Sequence, residues 1–227
     1  SVAALKAEAS HTNLILRPVT PLLPRADVPI NLIAERFGDT WTKLRVFELW
    51  QYDSVCYLDA DMILRKSMDA IFDVKLPGDD WIAANHACVC NKDKDPWAPG
   101  EWTEENCAYS LVKHPGALTS PTPVTPDSRP THHLLNSGMF LFRPSEALWD
   151  RMMDFFNTSE RLSEYKFPDQ DFLADFFRHR WVSVGWQFNA LKTMRYWHPQ
   201  MWRDEEVVCL HYIVDKPWAA RVREDGT

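Results

Sequence analysis

The sequence predicts an α/β fold on three observations. An apolar run, Val55-Cys56-Tyr57-Leu58, is interrupted by Asp59-Ala60-Asp61 and resumes at Met62. A second apolar run covers Leu134 to Phe142. Around them, apolar residues recur at helical spacing, as in Trp41, Leu44 and Phe47 or Leu148, Met152 and Phe155. Strand-length runs alternating with helical periodicity are the pattern of a sheet flanked by helices.

Taken in order, Ser1 to Ser10 reads as a short helix carrying Ala3, Leu5 and Ala7, and Asn13 to Val19 as a strand with Leu14, Leu16 and Pro18 alternating against Ile15 and Val19. Asp39 or Thr40 can cap a helix that runs to about Gln51, with Trp41, Leu44, Phe47 and Leu49 or Trp50 on one face. The strand ending in two aspartates follows, then a helical turn at Ser67 to Phe72 and a strand at Trp81 to Asn85. Periodicity fails from His86 to His133, where Pro121, Pro123, Pro126 and Pro130 mark a long loop. Beyond the Leu134–Phe142 strand, Ser145 caps one helix and Asp169, after Pro168, caps another bearing Phe172, Leu173, Phe176 and Phe177.

With 227 residues, the chain is long enough for one sizeable core, and residues 1–227 are expected to form one domain with a loop insertion at about 86–133. A net charge of −7 without clustered Lys and Arg excludes nucleic acid as the expected partner. No apolar run approaches the length of a membrane span. Eleven Trp and twelve Phe fit a dense core or a sugar-stacking cleft. Five Cys, an odd number, lean toward reduced thiols and a cytoplasmic setting, with the Golgi lumen the alternative where a targeting segment precedes Ser1.

Asp59 and Asp61 carry the chemistry. Residues i and i+2 of an extended chain point to one side, so the two carboxylates can present together at the strand's end. Paired carboxylates repel unless a cation offsets them, and their hard oxygens suit Mg²⁺ or Mn²⁺. The plainer reading is a strand stopping at a solvated Asp-Ala-Asp turn. In the long loop, Cys88-x-Cys90 departs from the usual Cys-x2-Cys pair, so free thiols at Cys88, Cys90 and Cys107 are expected ahead of a zinc site. Trp97, Trp102 and Tyr109 either form an acceptor platform or pack the loop down.

Five ordered segments set the aspartates in context: Thr42-Lys43-Leu44, Asp59-Ala60-Asp61, Asn136-Ser137-Gly138 leading to Arg143-Pro144-Ser145, Asp169-Gln170, and His211 leading to Lys216-Pro217-Trp218. In this order they resemble the glycogenin-like retaining glycosyltransferases of family 8, over about Val2 to Trp218. The resemblance implies a GT-A-like, Rossmann-type twisted mixed sheet flanked by helices, with the family's opening, uracil-holding strand missing before Asn13. It implies transfer of a hexose from a UDP-sugar, with retention, to a hydroxyl of a carbohydrate or protein-linked glycan. Asp61 and His211 would ligate the metal and Asp59 would reach both metal and ribose; a mixed oxygen and imidazole set leans toward Mn²⁺, with Mg²⁺ the alternative. Lys216 would meet the diphosphate, Asn136 and Ser137 the donor sugar, and Asp169, Gln170 and Lys43 the reacting centre.

One departure stands out. The family spaces its final His and Lys with a Gly-containing loop, whereas here Val214 and Asp215 fill a shorter interval, and Val is not expected to reach the positive φ that Gly allows. Two rival readings differ in class. A haloacid-dehalogenase-type phosphatase also ends a strand in Asp-x-Asp, but its second Asp is normally followed by x-Thr or x-Val where this chain has Met62-Ile63, and it gives no reason for the His211–Trp218 segment. The other is a catalytically silent sugar-binding or scaffold protein on the same fold.

Overall fold

Residues 2–29 and 38–219 are described by the computed structural model. The helices and strands, in chain order, are α1 (Val2–Ala9), β1 (Val55–Leu58), β2 (Met62–Leu64), β3 (Ile82–His86), α2 (Gly116–Thr119), β4 (Leu135–Phe142), α3 (Glu146–Thr158), α4 (Pro168–Phe176), β5 (Trp181–Ser183), β6 (Ala190–Leu191), α5 (Met194–Trp197) and β7 (Cys209–His211). Among the described residues two mixed sheets form, in strand orders β1-β4-β3-β5 and β2-β7-β6. In the first, β4 runs antiparallel to both β1 and β3, and β3 pairs in parallel with β5. In the second, β7 is antiparallel to β2 and parallel to β6. The Asp59-Ala60-Asp61 link is therefore the place where the chain passes from one sheet to the other.

The larger sheet is buried on both faces, and alternation along its strands decides which side chain goes where. Phe140 and Phe142 of β4, with Ile82 and Ala84 of β3, face a core that includes Trp41, Phe47, Phe156, Phe172 and Trp181. Met139 and Leu141, with Ala83, face the opposite cluster of Met68, Ile71, Leu76 and Cys209. A third cluster, around Trp186, Met194, Met201 and Trp202, lies against Val89, Cys90, Cys107 and Tyr109 of the long segment between β3 and β4.

The segment around Lys43 is a 3-10 helix, Thr40–Glu48, rather than the expected α-helix, and Asp39 makes no side-chain cap bond. Its apolar residues explain the winding. Trp41, Leu44 and Phe47 are three apart, a spacing that stacks them in one row at three residues per turn, and all three are fully buried. Helix α3 begins as expected, with Ser145 Oγ accepting from Leu148 N at 3.2 Å; Leu148, Met152 and Phe156 are its buried residues, one position beyond the expected Phe155.

Two expectations fail. Asn13 to Val19 forms no strand: it is an exposed segment without regular structure, and Pro18 lacks the N–H donor a sheet edge would need. Helix α1 matches the expected short helix, although Ser1 lies outside the described residues, and it buries no side chain. Asp169 is not the cap of α4 either. Phe167 holds the cap position, and Asp171 Oδ2 accepts from the backbone N–H groups of Lys166 (2.8 Å) and Phe167 (3.0 Å). Asp169 is released for another use.

Phe47 is the hub of the first core, with ring centroids 4.1 Å from Phe142, 5.6 Å from Phe140 and 5.9 Å from Phe177. Phe47→Ala is expected to lower unfolding free energy by about 3–5 kcal/mol. Phe72→Ala, at a ring half exposed to solvent, should cost well under half of that. Urea denaturation of the two variants beside the parent checks the contrast.

Candidate active site

The site assembles where β1, β4, β7 and the start of α4 meet. Register in β4 slips against β3, so that Ala84 pairs with Phe140 but Asn85 with Asn136; the residues between, Ser137 to Met139, bulge from the ladder. Gly138 carbonyl accepts from Asp59 N at 2.8 Å, which fastens the Asp-Ala-Asp link to this bulge. Only a glycine fits there. A Cβ on Gly138 would stand 2.3 Å from His211 Cε1 and 2.9 Å from Asn136 Oδ1.

Asp59 and Asp61 do converge, but by a turn rather than by strand alternation, since β1 ends at Leu58 and β2 starts at Met62. Oxygens of Asp59 and Asp61 and a ring nitrogen of His211 all lie within 4.8 Å of one another. Asp59 Oδ1 accepts from Lys43 Nζ (3.0 Å) and from Tyr57 OH (2.8 Å). Burial, then the neighbouring Asp59 charge, drives the Tyr57 hydroxyl far above its ordinary pKa, so it stays a donor. Asp61 Oδ1 lies 3.2 Å from His211 Nε2, and its Oδ2 pairs with Lys216. Burial pushes the Asp61 carboxyl up, but hydrogen bonds and charges from His211 and Lys216 more than reverse this and hold it well below the usual carboxylate range.

A chain of hydrogen bonds fixes the tautomer of His211. Gly138 N–H lies 3.0 Å from Asn136 Oδ1, and a backbone N–H must donate, so that atom is an oxygen. Asn189 Nδ2 donates to the same oxygen at 2.8 Å, which turns Asn189 Oδ1 toward His211 Nδ1 at 2.9 Å. That ring nitrogen must then carry the proton. With Nδ1–H given to Asn189, Nε2 faces the Asp61 oxygen, and either a second proton on the ring, which is the charge that holds the Asp61 carboxyl low, or a bound cation must lie between them. Their 3.2 Å spacing is near the roughly 3 Å between adjacent ligands of an octahedral ion with bonds of about 2.1 Å. The donor set thus fits a hard divalent cation. Asn189, fully buried, was invisible to sequence reasoning: it follows Trp186-Gln187-Phe188 with no motif around it.

Lys43 reaches further than its place on an expected surface helix suggests. Its ammonium lies 2.5 Å from Asp169 Oδ2, 3.0 Å from Asp59 Oδ1, and 3.2 Å from both the carbonyl and the hydroxyl oxygen of Ser137. Burial alone would lower its pKa, but Asp169 and Asp59 reverse that and raise it. Ser137 Oγ also donates to Asp169 Oδ2 at 2.7 Å. Gln170 Oε1 accepts from Asn136 Nδ2 at 3.2 Å; the Gln170 NH₂ has no protein partner among the described residues. All nine residues singled out in the sequence therefore fall into one connected polar network.

Val214 corrects the sequence reading of the last loop. Its φ is +61°, the left-handed region that a β-branched residue rarely enters. Bonds from Lys216 to the Tyr212 carbonyl and to Asp61, and from Lys192 to the Asp215 carbonyl, bracket it. The backbone course that glycine would favour is kept, at a cost in strain.

The fold defines a class: the structure resembles glycosyltransferases of the GT-A fold. The galactosyltransferase LgtC, solved with donor and acceptor sugar analogues, matches at a TM-score of 0.51 and 19% identity, covering 88% of this chain and 66% of that one. The glycosyltransferase GlyE of Streptococcus pneumoniae TIGR4 matches at 0.51 and 20%, covering 82% and 40%. Residues 37–221 match the model of glycosyl transferase family 8, and the chain belongs to that family. Among its relatives, galactinol synthase 1 of Solanum lycopersicum is 26% identical over 93% of this chain and 59% of its own length. Galactinol synthase 4 of Arabidopsis thaliana is 27% identical over 90% and 57%. The chain spans less than three fifths of the length of these two relatives.

Through its hydrogen bond to Nδ1, Asn189 positions the His211 ring. Were His211 to ligate a divalent cation, Asn189→Ala would weaken Mn²⁺ binding by about 10–100-fold, the usual cost of losing a partner behind a metal-ligating histidine. Isothermal calorimetry measures it, and an unchanged affinity would separate Asn189 from the site.

Proposed function

We propose that this chain carries the catalytic core of a retaining hexosyltransferase, one that uses a UDP-sugar donor, a hydroxyl acceptor on a carbohydrate or protein-linked glycan, and Mn²⁺. The observation that carries this reading is the imidazole of His211, locked by Asn189 with its Nε2 toward Asp61 and beside Asp59. Asp59, Asp61 and His211 would hold the cation. A bound divalent ion stabilises the diphosphate leaving group as a Lewis acid.

The remaining residues divide the other tasks. Lys216, already at the edge of the carboxylate group through Asp61, meets the diphosphate and adds a second positive charge. Asn136, at the edge of the β4 bulge, and Ser137 within it line the donor sugar. Gln170 offers its amide NH₂ to the reacting sugar or the acceptor. Asp169 is buried, and its Oδ2 accepts from both Lys43 and Ser137, which favours a positioning role over that of a nucleophile. Attack then comes from the acceptor on the face the diphosphate leaves: the bond from the anomeric carbon to the diphosphate oxygen breaks, the acceptor oxygen bonds to the same face, and the acceptor proton passes to the departing oxygen.

The galactinol synthases among the relatives put a galactosyl donor first in a test panel. With Mn²⁺, UDP-galactose, UDP-glucose and UDP-N-acetylglucosamine are to be assayed for UDP release. The proposal expects slow hydrolysis of at least one donor, and a fall of about 100-fold in Asp59→Ala, Asp61→Ala and His211→Ala alike. Tight UDP binding with no turnover on any donor would favour the silent scaffold. Phosphate release from simple esters would favour the phosphatase.

A further inference from the structure

The long segment between β3 and β4 contains a second group of metal-ligating side chains, distinct from the first. Cys88 and Cys90 stand at its start, Cys107 comes from its middle, and His198 follows α5 more than ninety residues later. His198 Nε2 is 3.3 Å from Cys88 Sγ, 3.3 Å from Cys90 Sγ and 3.7 Å from Cys107 Sγ, and the Cys88 and Cys107 sulfurs are 3.8 Å apart. All four ligand atoms lie within 4.8 Å of one another. With zinc bonds of about 2.3 Å to sulfur and 2.0–2.1 Å to nitrogen, a regular tetrahedron has S–S edges of about 3.8 Å and S–N edges of about 3.6 Å. The one S–S and three S–N distances above each lie within about 0.3 Å of these edges.

Neither a disulfide nor chance packing accounts for the cluster. A disulfide needs sulfurs about 2.0 Å apart, and all five cysteines are free. A chance meeting of buried thiols gives no reason for an imidazole nitrogen aimed at three sulfurs at once. His198 and Cys107 are fully buried and Cys90 nearly so. Backbone bonds hold the ligand-bearing turns: His198 N donates to Met194 O at 2.8 Å, its carbonyl accepts from Met201 and Trp202, and Cys107 N donates to Glu104 O at 3.2 Å. The far ring nitrogen, Nδ1, sits 3.4 Å from the Gln200 amide.

We propose that Cys88, Cys90, Cys107 and His198 bind a structural zinc ion that pins the β3–β4 segment to the C-terminal part of the fold. Four protein ligands leave no open position, so the ion is structural and separate from the cation site at Asp61. On binding, the three thiols give up their protons to solvent, three Zn–S bonds and one Zn–N bond form, and the ion's waters are released. The pinned segment carries Trp97 and Trp102, whose rings pack on Phe167 at 5.4 and 6.3 Å, immediately before the α4 residues Asp169 and Gln170. Zinc therefore also steadies the wall beside the candidate reacting centre.

The test uses the whole chain, expressed in zinc-supplemented medium and analysed by plasma mass spectrometry after dialysis. About one zinc per chain is expected in the parent, in Cys56→Ser and in Asp61→Asn, with loss in Cys88→Ser and Cys107→Ser. Because those variants can misfold, the parent is also refolded with Co²⁺. An intense thiolate-to-cobalt charge-transfer band with tetrahedral d–d absorption supports the site. Absence of zinc from the parent, retention of zinc in Cys107→Ser, loss of zinc only in Asp61→Asn, or a cobalt spectrum without thiolate bands overturns it.

Discussion

One buried ammonium group organises this site. Lys43 projects from the Thr40–Glu48 helix to Asp59 in the inter-sheet link, Ser137 in the β4 bulge and Asp169 in α4. A cation nine-tenths buried is tolerated only when paired and hydrogen-bonded, so these four segments cannot separate without stranding a charge. The row of Trp41, Leu44 and Phe47 beneath it fixes where the helix lies, and so where the ammonium points. Core packing and site electrostatics are thus parts of one constraint.

From that constraint the rest of the polar network follows. Lys43 and Tyr57 occupy one oxygen of Asp59, while Asp61 turns to the other sheet and meets His211 on β7. The two sheets are held together at this point by charged and polar groups as well as by the Met139, Leu141 and Cys209 cluster. At Gly138 the two sheets meet closely, and the His211 ring fills the space a larger residue would need. A network of this kind is high-stakes, because its buried members depend on one another and loss of one leaves a buried group unpaired.

Much of this was legible in the chain. The apolar runs at Val55–Leu58 and Leu134–Phe142 became β1 and β4, and Ser145 caps α3 as expected. The strand expected at Asn13–Val19 did not form, because alternation signals a face that could be buried and says nothing about a partner to bury it. Asp169 looked like a cap because it follows Pro168 ahead of an apolar helix; a tertiary charge, Lys43, claimed its carboxylate, and Asp171 took over the backbone donors. Val214 was expected to avoid positive φ, yet the pairing of Lys216 on one side and Lys192 on the other holds it there. Asn189 and His198 had no local signature. Their roles exist only where distant segments meet, at Asn136 and His211 for one and at three cysteines for the other.

The central claim is that His211, with Nδ1–H fixed on Asn189, offers Nε2 to a divalent cation shared with Asp59 and Asp61. Side-chain ¹H–¹⁵N spectra of ¹⁵N-histidine-labelled protein test it most directly. Before metal is added, at a pH where the ring is neutral, the His211 proton should reside on Nδ1. On titration with Mn²⁺ its resonances should broaden beyond detection at stoichiometric metal, ahead of the signals of the exposed His11, with the effect abolished in Asp61→Asn. A His211 ring protonated on Nε2, or one whose signals stay sharp as Mn²⁺ binds, would contradict the account.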